Sequence, residues 1–313
     1  MSPSNTPASP DLRVRIGDLE LKNPIIAASG TFGYGVEFED IVHLDRLGGL
    51  VVKGLSVEPM TGNPPPRLYE TAAGMLNAIG LQNIGAQAFL EEKLPVLRDK
   101  KNVVVFANVF GYTRQDYEHT IEILNQGEGI AAYELNVSCP NTAHGGIVFG
   151  TDPQLLDEVV RTAKRVSARP LIVKLSPNVT SIALMAHVAE EAGADAISLV
   201  NTFLAMAIDA ETRRPRIANV TAGLSGPAIK PIALRMVYEA AQSVKIPVLG
   251  MGGISTPADV VEFMLAGASA VQVGTASYFD PVATETLVEE LTAYCREHRI
   301  TRISELTGGL LTE

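Results

Sequence analysis

The chain contains only two cysteines, Cys139 and Cys295, among its 313 residues. An iron–sulfur cluster normally takes four thiolates, and two isolated thiols do not form a disulfide framework. The sequence therefore excludes a cluster held by this chain alone. Because disulfides accumulate in oxidising compartments, the low cysteine count predicts a reducing, cytoplasmic location.

Long apolar runs are also missing, since no segment approaches the length of a membrane span. Residues 1–10 are rich in proline and serine and lack an apolar core, so we expect neither a signal peptide nor an anchor there. We predict a disordered tail over residues 1–13 and no membrane association. The histidines are scattered and show no paired ligand spacing, so no metal site is expected.

Positive charge is scarce as well. The chain has 25 Lys and Arg against 35 Asp and Glu, a formal net charge of −10. A polyanion is repelled by such a surface, so nucleic acid is not an expected partner. A small anionic ligand remains compatible with the sequence, because a few local cations and backbone amides can hold one.

What the sequence does contain is a series of short apolar runs rich in β-branched residues and bounded by Gly, Pro or polar residues. They are nearly continuous in apolarity, which indicates strands covered on both faces and therefore a parallel sheet. The predicted strands are Pro24–Ala28, Leu50–Val52, Val103–Ala107, Ala132–Asn136, Leu171–Leu175, Ala196–Val200, Val248–Met251 and Ala270–Val273.

Helical spacing of apolar residues occurs between these strands. Predicted helices include Asp152–Ser167, Ser181–Ala192, Ile232–Val244 and Thr256–Ala266, the last with Pro257 near its start and Gly267 just beyond its end. About eight strands alternating with helices over roughly 250 residues predict an α/β fold, a single (β/α)8 TIM barrel. An open doubly wound sheet is the alternative.

Additional segments modify this plan. Roughly fifty residues separate the second from the third strand and the sixth from the seventh, and both gaps contain Gly/Pro-rich stretches, residues 58–67 and 223–231. Such insertions fall on the C-terminal face, where barrels place active sites. Val14–Leu21, with central Gly17-Asp18, predicts an N-terminal β-hairpin at the bottom of the barrel. No linker is evident, so residues 14–313 are expected to form one domain.

Two glycine turns near the C-terminus predict a phosphate site. Gly250-Met251-Gly252-Gly253-Ile254 and Gly274-Thr275-Ala276 each close a strand, and the loops after strands 7 and 8 are the usual phosphate position in such barrels. A dinucleotide is not expected, because the glycines at 30, 33 and 35 do not have the Gly-x-Gly-x-x-Gly spacing. The ligand is therefore expected to be a mononucleotide such as flavin mononucleotide (FMN).

Polar side chains collect at the strand ends. Lys53 follows the second strand and Lys174 lies in the fifth, where a lysine costs desolvation free energy unless it faces a polar pocket or an anion. A surface lysine is the alternative for each. Amides at similar places offer both a donor and an acceptor and suit a planar heterocycle with imide edges, although singly they are ordinary turn residues: Asn77, Asn108, Asn136, Asn141 and Asn201.

Cys139 stands where an apolar strand runs out, in Glu134-Leu135-Asn136-Val137-Ser138-Cys139-Pro140-Asn141. This position predicts a chemical role for the thiol. His144 lies five residues later, so a Cys–His nucleophile pair is one alternative. Cys295 lies in a predicted helix and needs no function.

With these residues assembled, the sequence from about Val14 onward resembles the class 1 dihydroorotate dehydrogenases. The blocks that carry the resemblance are Lys53-Gly54, residues 77–83, residues 136–141, Asn201-Thr202, residues 223–231 and the two glycine turns. Cys139 distinguishes the chain from class 2 enzymes, which carry serine there. Ser225-Gly226-Pro227 and residues 251–254 are similar to the class 1B catalytic subunit. The fumarate-linked class 1A is the nearer alternative.

This resemblance implies oxidation of dihydroorotate to orotate in pyrimidine biosynthesis, with one FMN per chain. It further implies a homodimer of this chain assembled with two electron-transfer subunits that carry FAD and a [2Fe–2S] cluster and pass electrons to NAD+. The sequence is consistent with that division, since this chain lacks both a dinucleotide fingerprint and the cysteines for a cluster.

The resemblance also implies roles for individual residues. The expected FMN contacts are Ser29, Lys53, Gly54, Asn108, Asn136, Lys174, Val200, Gly226, Gly252, Gly253, Gly274 and Thr275, the last four at the phosphate. The expected substrate contacts are Lys53, Asn77, Ala78, Ile79, Gly80, Leu81, Asn136, Asn141, Asn201 and Thr202. Cys139 is expected to be the catalytic base that takes the C5 proton while flavin N5 receives the C6 hydride, with Lys174 near flavin N1.

Other functions remain open on the sequence alone. A uracil- or thymine-type dihydropyrimidine dehydrogenase resembles the chain around Cys139, although His is expected there in place of Asn141. A barrel isomerase or lyase for a phosphorylated metabolite and a noncatalytic scaffold are the alternatives without redox chemistry. Glycines at 145, 146 and 150 predict either a mobile lid over residues 139–150 or a static loop.

Overall fold

Eight parallel strands close into a barrel in the computed structural model, which describes residues 9–138 and 149–312. The strands of the described chain are β1 (Val14–Ile16), β2 (Leu19–Leu21), β3 (Ile25–Ala27), β4 (Gly49–Val51), β5 (Leu68–Thr71), β6 (Gly74–Asn77), β7 (Val105–Val109), β8 (Ile130–Asn136), β9 (Leu171–Lys174), β10 (Ala196–Leu199), β11 (Phe203–Met206), β12 (Ile208–Asp209), β13 (Arg214–Pro215), β14 (Thr221–Ser225), β15 (Val248–Met251) and β16 (Ala270–Val273).

The barrel runs β3-β4-β7-β8-β9-β10-β15-β16 and closes by parallel pairing of β16 with β3. All eight predicted strands are present, with ends shifted by no more than two residues. The (β/α)8 prediction is confirmed, and the open doubly wound sheet is wrong because no strand of this sheet is left as an edge.

Helices cover the outside of the barrel. They are α1 (Ala86–Ala88), α2 (Leu94–Asp99), α3 (Arg114–Leu124), α4 (Pro153–Val166), α5 (Ile182–Glu191), α6 (Lys230–Ser243), α7 (Pro257–Leu265), α8 (Ala276–Phe279) and α9 (Ala283–Glu297), with a π-helical segment Phe89–Lys93 between α1 and α2. None of the helices in the described ranges combines the length and apolarity needed to cross a membrane.

Local sequence explains where several helices begin. Asp152 caps α4 by accepting a hydrogen bond from Leu155 N at 3.0 Å, and Ser181 caps α5 through Leu184 N at 3.2 Å. Thr256 and Asp259 form a capping box at α7. These caps place each helix directly after a strand-end loop, which is how the chain returns to start the next strand.

The barrel interior is filled by side chains of the strands. Phe106 of β7 has 1% of its surface exposed and packs against Gly49 of β4, where a Cβ would lie 2.4 Å from the Phe106 ring. A larger residue at 49 would displace that ring, since protein cores hold few voids to absorb it. The first two strands form the predicted hairpin, and Val14, Ile16 and Leu21 belong to the main core.

Ordered structure begins before Val14, where the predicted tail ends. Leu12 is 9% exposed, and Asp11 exchanges backbone hydrogen bonds with residues 301 and 303. The contact with a distant part of the chain could not be read from the composition of the tail. Residues 1–8 lie outside the described part of the chain.

The two long gaps form a structure that the sequence analysis did not predict. Strands β5 and β6 from the first gap and β11 and β14 from the second build one antiparallel sheet in the order β11-β14-β6-β5. Pairing of Leu76 with Leu224 and of Met75 with Ser225 joins the two insertions. Both insertions follow the C-terminal ends of barrel strands, as predicted.

Candidate active site

A cavity of about 610 Å³ opens at the C-terminal ends of the barrel strands. Every described residue predicted to contact a cofactor or substrate lines it. These are Ser29, Lys53, Gly54, Asn77, Ala78, Ile79, Gly80, Leu81, Asn108, Asn136, Lys174, Val200, Asn201, Thr202, Gly226, Gly252, Gly253, Gly274 and Thr275.

Parallel strands explain this convergence. Asn136 and Lys174 are the last residues of β8 and β9, and Lys53 follows β4 by two positions. Because the carboxyl ends of all barrel strands meet at one face, residues far apart in sequence come together there. The antiparallel sheet adds Asn77 from β6 at the rim, where Asn77 Nδ2 donates to Gly223 O at 3.4 Å.

Glycines form a close-packed wall at one end of the cavity. Gly252 has φ of 127° and Gly253 has φ of 76°, both in the region that L side chains rarely adopt. A Cβ at Gly252 would lie 2.7 Å from Ala233 Cβ, and one at Gly253 would lie 2.8 Å from Gly226 O. A side chain would not fit at either position, so the backbone itself forms this part of the cavity lining, which suits a phosphate bound by backbone amides.

Thr275 and Ser225 close this wall with hydroxyl groups. Thr275 Oγ1 donates to Ser225 Oγ at 2.8 Å, linking the end of β16 to the end of β14. Ser225 lines the cavity but was not among the predicted site residues. Its place in the small antiparallel sheet could not be foreseen, although it directly precedes Gly226, which was predicted to contact the cofactor.

Lys53 carries its charge into the cavity without a partner among residues 9–138 and 149–312. Its ammonium lies close to Gly30, and no described residue forms a hydrogen bond or ion pair with it. Burial lowers the pKa of Lys53 below its ordinary value, and the nearby positive charge of Arg67 lowers it further. A buried cation without a counter-ion is stabilised by an anionic ligand.

Lys174 has a different environment. It is 6% exposed, and its ammonium lies 3.6 Å from Oε1 of Glu134, a carboxylate with no exposed surface. Glu134 also accepts hydrogen bonds from Asn108 Nδ2 at 2.7 Å, Ser198 Oγ at 2.9 Å and Gln272 Nε2 at 2.5 Å. The interior prediction for Lys174 is confirmed, and the surface alternative is wrong.

Glu134 and Gln272 were missed by the sequence analysis. Glu134 lies in the middle of an apolar strand, which is the same signal that drew attention to Lys174. It could have been found by asking which anion accompanies a buried lysine, because buried charges are paired. Gln272 gave a weaker signal, since a single amide in β16 is unremarkable until its partner is known.

The asparagines form a second polar group. Asn136 Oδ1 accepts hydrogen bonds from Asn201 Nδ2 at 3.3 Å and from Ser138 N at 3.2 Å. Tyr117 supports this strand end by donating to Asn136 O at 2.9 Å. With Oδ1 occupied twice, the Asn136 amide nitrogen is the part that can donate to a ligand.

Cys139, Asn141 and His144 lie outside the described residues, as does most of the predicted lid over 139–150. The residues on either side are close together, because Gly150 N donates to Val137 O at 2.9 Å. Cys295 is buried and lies in α9, so the prediction of a helix at this thiol is confirmed. Within residues 9–138 and 149–312, no three His, Cys, Asp or Glu side chains group as metal ligands.

Comparison with known proteins agrees with the geometry. The family model described as dihydroorotate dehydrogenase matches residues 11–294. A Solibacter usitatus protein, provisionally named dihydroorotate dehydrogenase A (fumarate), is 60% identical over 302 residues, 96% of this chain and 99% of that one. The dihydroorotate dehydrogenase B (NAD(+)) catalytic subunit of Geotalea uraniireducens is 54% identical over 303 residues, 97% of this chain and 99% of that one.

The same subunit of Geobacter sulfurreducens is 53% identical over 301 residues, covering 96% of this chain and 98% of that one. The matches therefore extend over nearly the whole length of both partners. The chain belongs to the dihydroorotate dehydrogenase family.

Proposed function

We propose that this chain oxidises (S)-dihydroorotate to orotate in pyrimidine biosynthesis, as the FMN-binding catalytic subunit of an NAD-linked dihydroorotate dehydrogenase. The observation that carries this proposal is the convergence of the described cofactor and substrate candidates on one cavity in a chain of this family. The cavity is large enough for a mononucleotide and a small ring together, because binding pockets commonly measure about 300–1,000 Å³.

The protein groups in the cavity fit FMN. The glycine wall suits the phosphate, which Gly252, Gly253, Gly274 and Thr275 would hold, with Gly226 as a further FMN contact. Elsewhere in the cavity lining, Gln272 Oε1 is buried and has no partner among the described residues. A buried acceptor without a donor is costly, so this oxygen favours a ligand with a ring N–H. When bound, FMN supplies the hydride acceptor.

Amides and Lys53 suit the substrate. Dihydroorotate carries a carboxylate and an imide ring. The Lys53 ammonium, which has no anionic partner in the described part of the chain, offers the carboxylate a counter-ion. Asn77, Asn136 and Asn201 would read the ring edges with their donors and acceptors. Asn141 is proposed to join them, together with backbone of residues 78–81.

Cys139 is the proposed catalytic base. Oxidation removes a proton from C5 and a hydride from C6 of dihydroorotate, and the thiolate of Cys139 would accept the proton. Its neighbour Ser138 is fixed by a hydrogen bond from Ser138 Oγ to Lys174 O at 3.2 Å, so the chain enters this segment from a rigid position. A free thiol has a pKa of about 8.5, so turnover should rise toward mildly alkaline pH.

Electrons must leave the site toward a second protein if NAD+ is the acceptor. With two cysteines in this chain, a [2Fe–2S] cluster and FAD are proposed on an electron-transfer subunit, two of which would assemble with a homodimer of this chain. The exposed apolar side chains of Leu204, Met206 and Ile208 offer contact area for assembly. We further propose one barrel domain over residues 14–313 and a cytoplasmic location.

A fumarate-linked enzyme is the second candidate, because the Solibacter usitatus relative carries that name. In that case the chain would need no electron-transfer subunit. The proposed substrate and base would be unchanged, and only the acceptor would differ.

Spectroscopy and assay of the purified chain test these proposals. Flavin absorption bands are expected, whereas an isomerase, a lyase or a scaffold predicts a colourless protein. Dihydroorotate should reduce the flavin, and dihydrouracil should not. Fumarate turnover by the chain alone would favour the second candidate, whereas NAD+ turnover only with the partner subunit would favour the first.

The variant Cys139→Ala tests the proposed base. It should retain FMN and lose most turnover, and full activity would contradict the role of Cys139 as the base.

A further inference from the structure

Glu134 is a fully buried carboxylate inside the barrel, on β8. Its polar neighbours come from four other barrel strands, β7, β9, β10 and β16, and each oxygen has two of them. Asn108 Nδ2 and Lys174 Nζ lie 2.7 and 3.6 Å from Oε1, while Ser198 Oγ and Gln272 Nε2 lie 2.9 and 2.5 Å from Oε2.

The carboxylate stands behind the cavity wall. Asn108, Lys174 and Gln272 line the cavity, whereas Glu134 and Ser198 do not. Glu134 therefore reaches a ligand only through its neighbours. A role for it would be that of a positioning residue.

Hydrogen-bond chemistry fixes what those neighbours present to the cavity. A carboxylate accepts through both oxygens and donates nothing, so an amide beside it must turn its NH₂ group inward. The carbonyl oxygen of that amide then points away. Gln272 Oε1 is buried without a partner in the described chain, and Asn108 Oδ1 faces Gly54, where a Cβ would lie 2.9 Å from it.

We infer that Glu134 orients the amides of Asn108 and Gln272 so that their carbonyl oxygens face the cavity as acceptors for an N–H of the bound ring. This inference rests on the proposed function, in which the ring is the isoalloxazine of FMN with its imide N–H. It adds Gln272 to the cofactor-binding residues. It also explains why a strand that needs apolar side chains carries a glutamate.

The substitution Glu134→Gln tests this directly. Glutamine has nearly the same shape but brings an NH₂ group toward Asn108 or Gln272, one of which must rotate and present a donor. Two dissociation constants are measured by flavin fluorescence, one for FMN and one for FMN methylated at ring N3. The variant should bind FMN at least about tenfold more weakly and lose much of the wild-type preference for FMN over the methylated analogue.

Two further variants separate orientation from stability. Ser198→Ala removes another contact of Glu134 without touching an amide of the wall, so the FMN preference should stay at the wild-type value. Glu134→Gln combined with Gln272→Glu exchanges the two groups and returns an acceptor to the cavity, so most of the FMN preference should return. Thermal unfolding of each apoprotein shows whether the variant folds.

The outcomes distinguish the proposals. Wild-type FMN affinity and preference in folded Glu134→Gln would overturn the inference. If that variant does not fold, Gln272→Met replaces it, and an unchanged FMN preference there would overturn the inference equally. A wild-type chain that binds no FMN would contradict the proposed function itself and the inference with it.

Discussion

Two lysines in one cavity have opposite surroundings, and this difference decides which of them needs an anion from a ligand. Lys174 lies 3.6 Å from the carboxylate of Glu134. Lys53 has no anionic partner in the described residues, and burial followed by the charge of Arg67 lowers its pKa from the ordinary 10.5. Lys53 is thus the cation for which an anionic ligand supplies the counter-ion.

Orotate affinity should therefore depend on the protonation of Lys53. Since the pKa is lowered, the ammonium loses its proton at a lower pH than an exposed lysine does, and affinity for the carboxylate should fall as the pH rises through that value. Lys53→Met should cost about 1.5–3 kcal/mol of binding free energy, a roughly ten- to hundredfold loss. Calorimetric titration with orotate from neutral to alkaline pH measures both effects.

Matched variants control for other titrating groups. Lys53→Arg keeps its charge at all these pH values, so any remaining pH dependence belongs to orotate or to other residues. Lys101→Met removes an exposed lysine outside the cavity and should leave affinity unchanged. Identical pH profiles for the wild type and Lys53→Arg would contradict the assignment.

At the same scale, the sequence predicted the identity of the polar residues better than their connections. Lys174 was recognised because a charge in an apolar strand is costly, yet Glu134, forty residues earlier and under the same rule, was not paired with it. Their contact depends on β8 and β9 being neighbours in register, with Asn136 beside Lys174. Sequence shows the cost of each charge but not the distance between them.

At the scale of elements, an ion pair and hydrogen bonds connect α6, α7 and the loop after β15 behind the glycine wall. Asp259 on α7 forms an ion pair with Lys230 at the start of α6. The other carboxylate oxygen of Asp259 accepts from Ser255 N at 2.9 Å and Thr256 N at 2.8 Å. Gly253 lies beside Lys230, where a Cβ would be 2.8 Å from Lys230 Cβ, so this pair determines the shape of the loop after β15.

Asp259→Asn should therefore weaken phosphate binding selectively. Loss of the charged partner leaves Lys230 paired with Glu262 alone, at 2.8 Å, and loosens residues 252–256, so FMN affinity should fall about tenfold. Riboflavin lacks the phosphate and should bind the variant as it binds the wild type. Fluorescence titrations with the two flavins measure the split, and equal losses for both would contradict a role at the phosphate.

The pH dependence of stability gives a second test of the same pair. Burial alone would raise the pKa of Asp259, but hydrogen bonds from Lys230, Ser255 and Thr256 outweigh it and hold the pKa below the ordinary 3.8. A lowered carboxylate pKa stabilises the fold above 3.8, and the contribution is lost as the pH falls below it. The stability difference between wild type and Asp259→Asn should shrink there, whereas Asp99→Asn, at the end of α2, controls for an exposed carboxylate.

Elements with local signals were predictable, and those without were not. The barrel strands follow from continuous apolar runs, and α4, α5 and α7 from caps and 3.6-residue spacing. The antiparallel sheet joins Asn77 to Gly223, which are 146 residues apart. Its short strands have mixed exposure, such as the alternating pattern of Leu68–Thr71, and nothing local specifies their pairing.

At the scale of the whole molecule, closure of the barrel predicts that its opposite sides unfold together. A parallel barrel has no edge, so loss of one strand removes the pairing of both neighbours. The main core is continuous from the N-terminal hairpin to α9. Leu124 on α3 and Cys295 on α9 are both fully buried in this core, on helices attached to different parts of the barrel.

Leu124→Ala should consequently expose Cys295 although the two helices are distant in the chain. Removing a buried leucine side chain should lower the free energy of unfolding by about 2–5 kcal/mol, measured by denaturant titration.

Burial raises the pKa of the Cys295 thiol, so this thiol reacts only when the structure opens. In a Cys139→Ala background, where Cys295 is the only remaining thiol, its labelling should accelerate by the factor that corresponds to the lost stability. Glu122→Ala, on the exposed side of the same helix, should change neither quantity. If Leu124→Ala lowered the unfolding free energy while Cys295 labelling kept its wild-type rate, the two sides of the barrel would unfold independently.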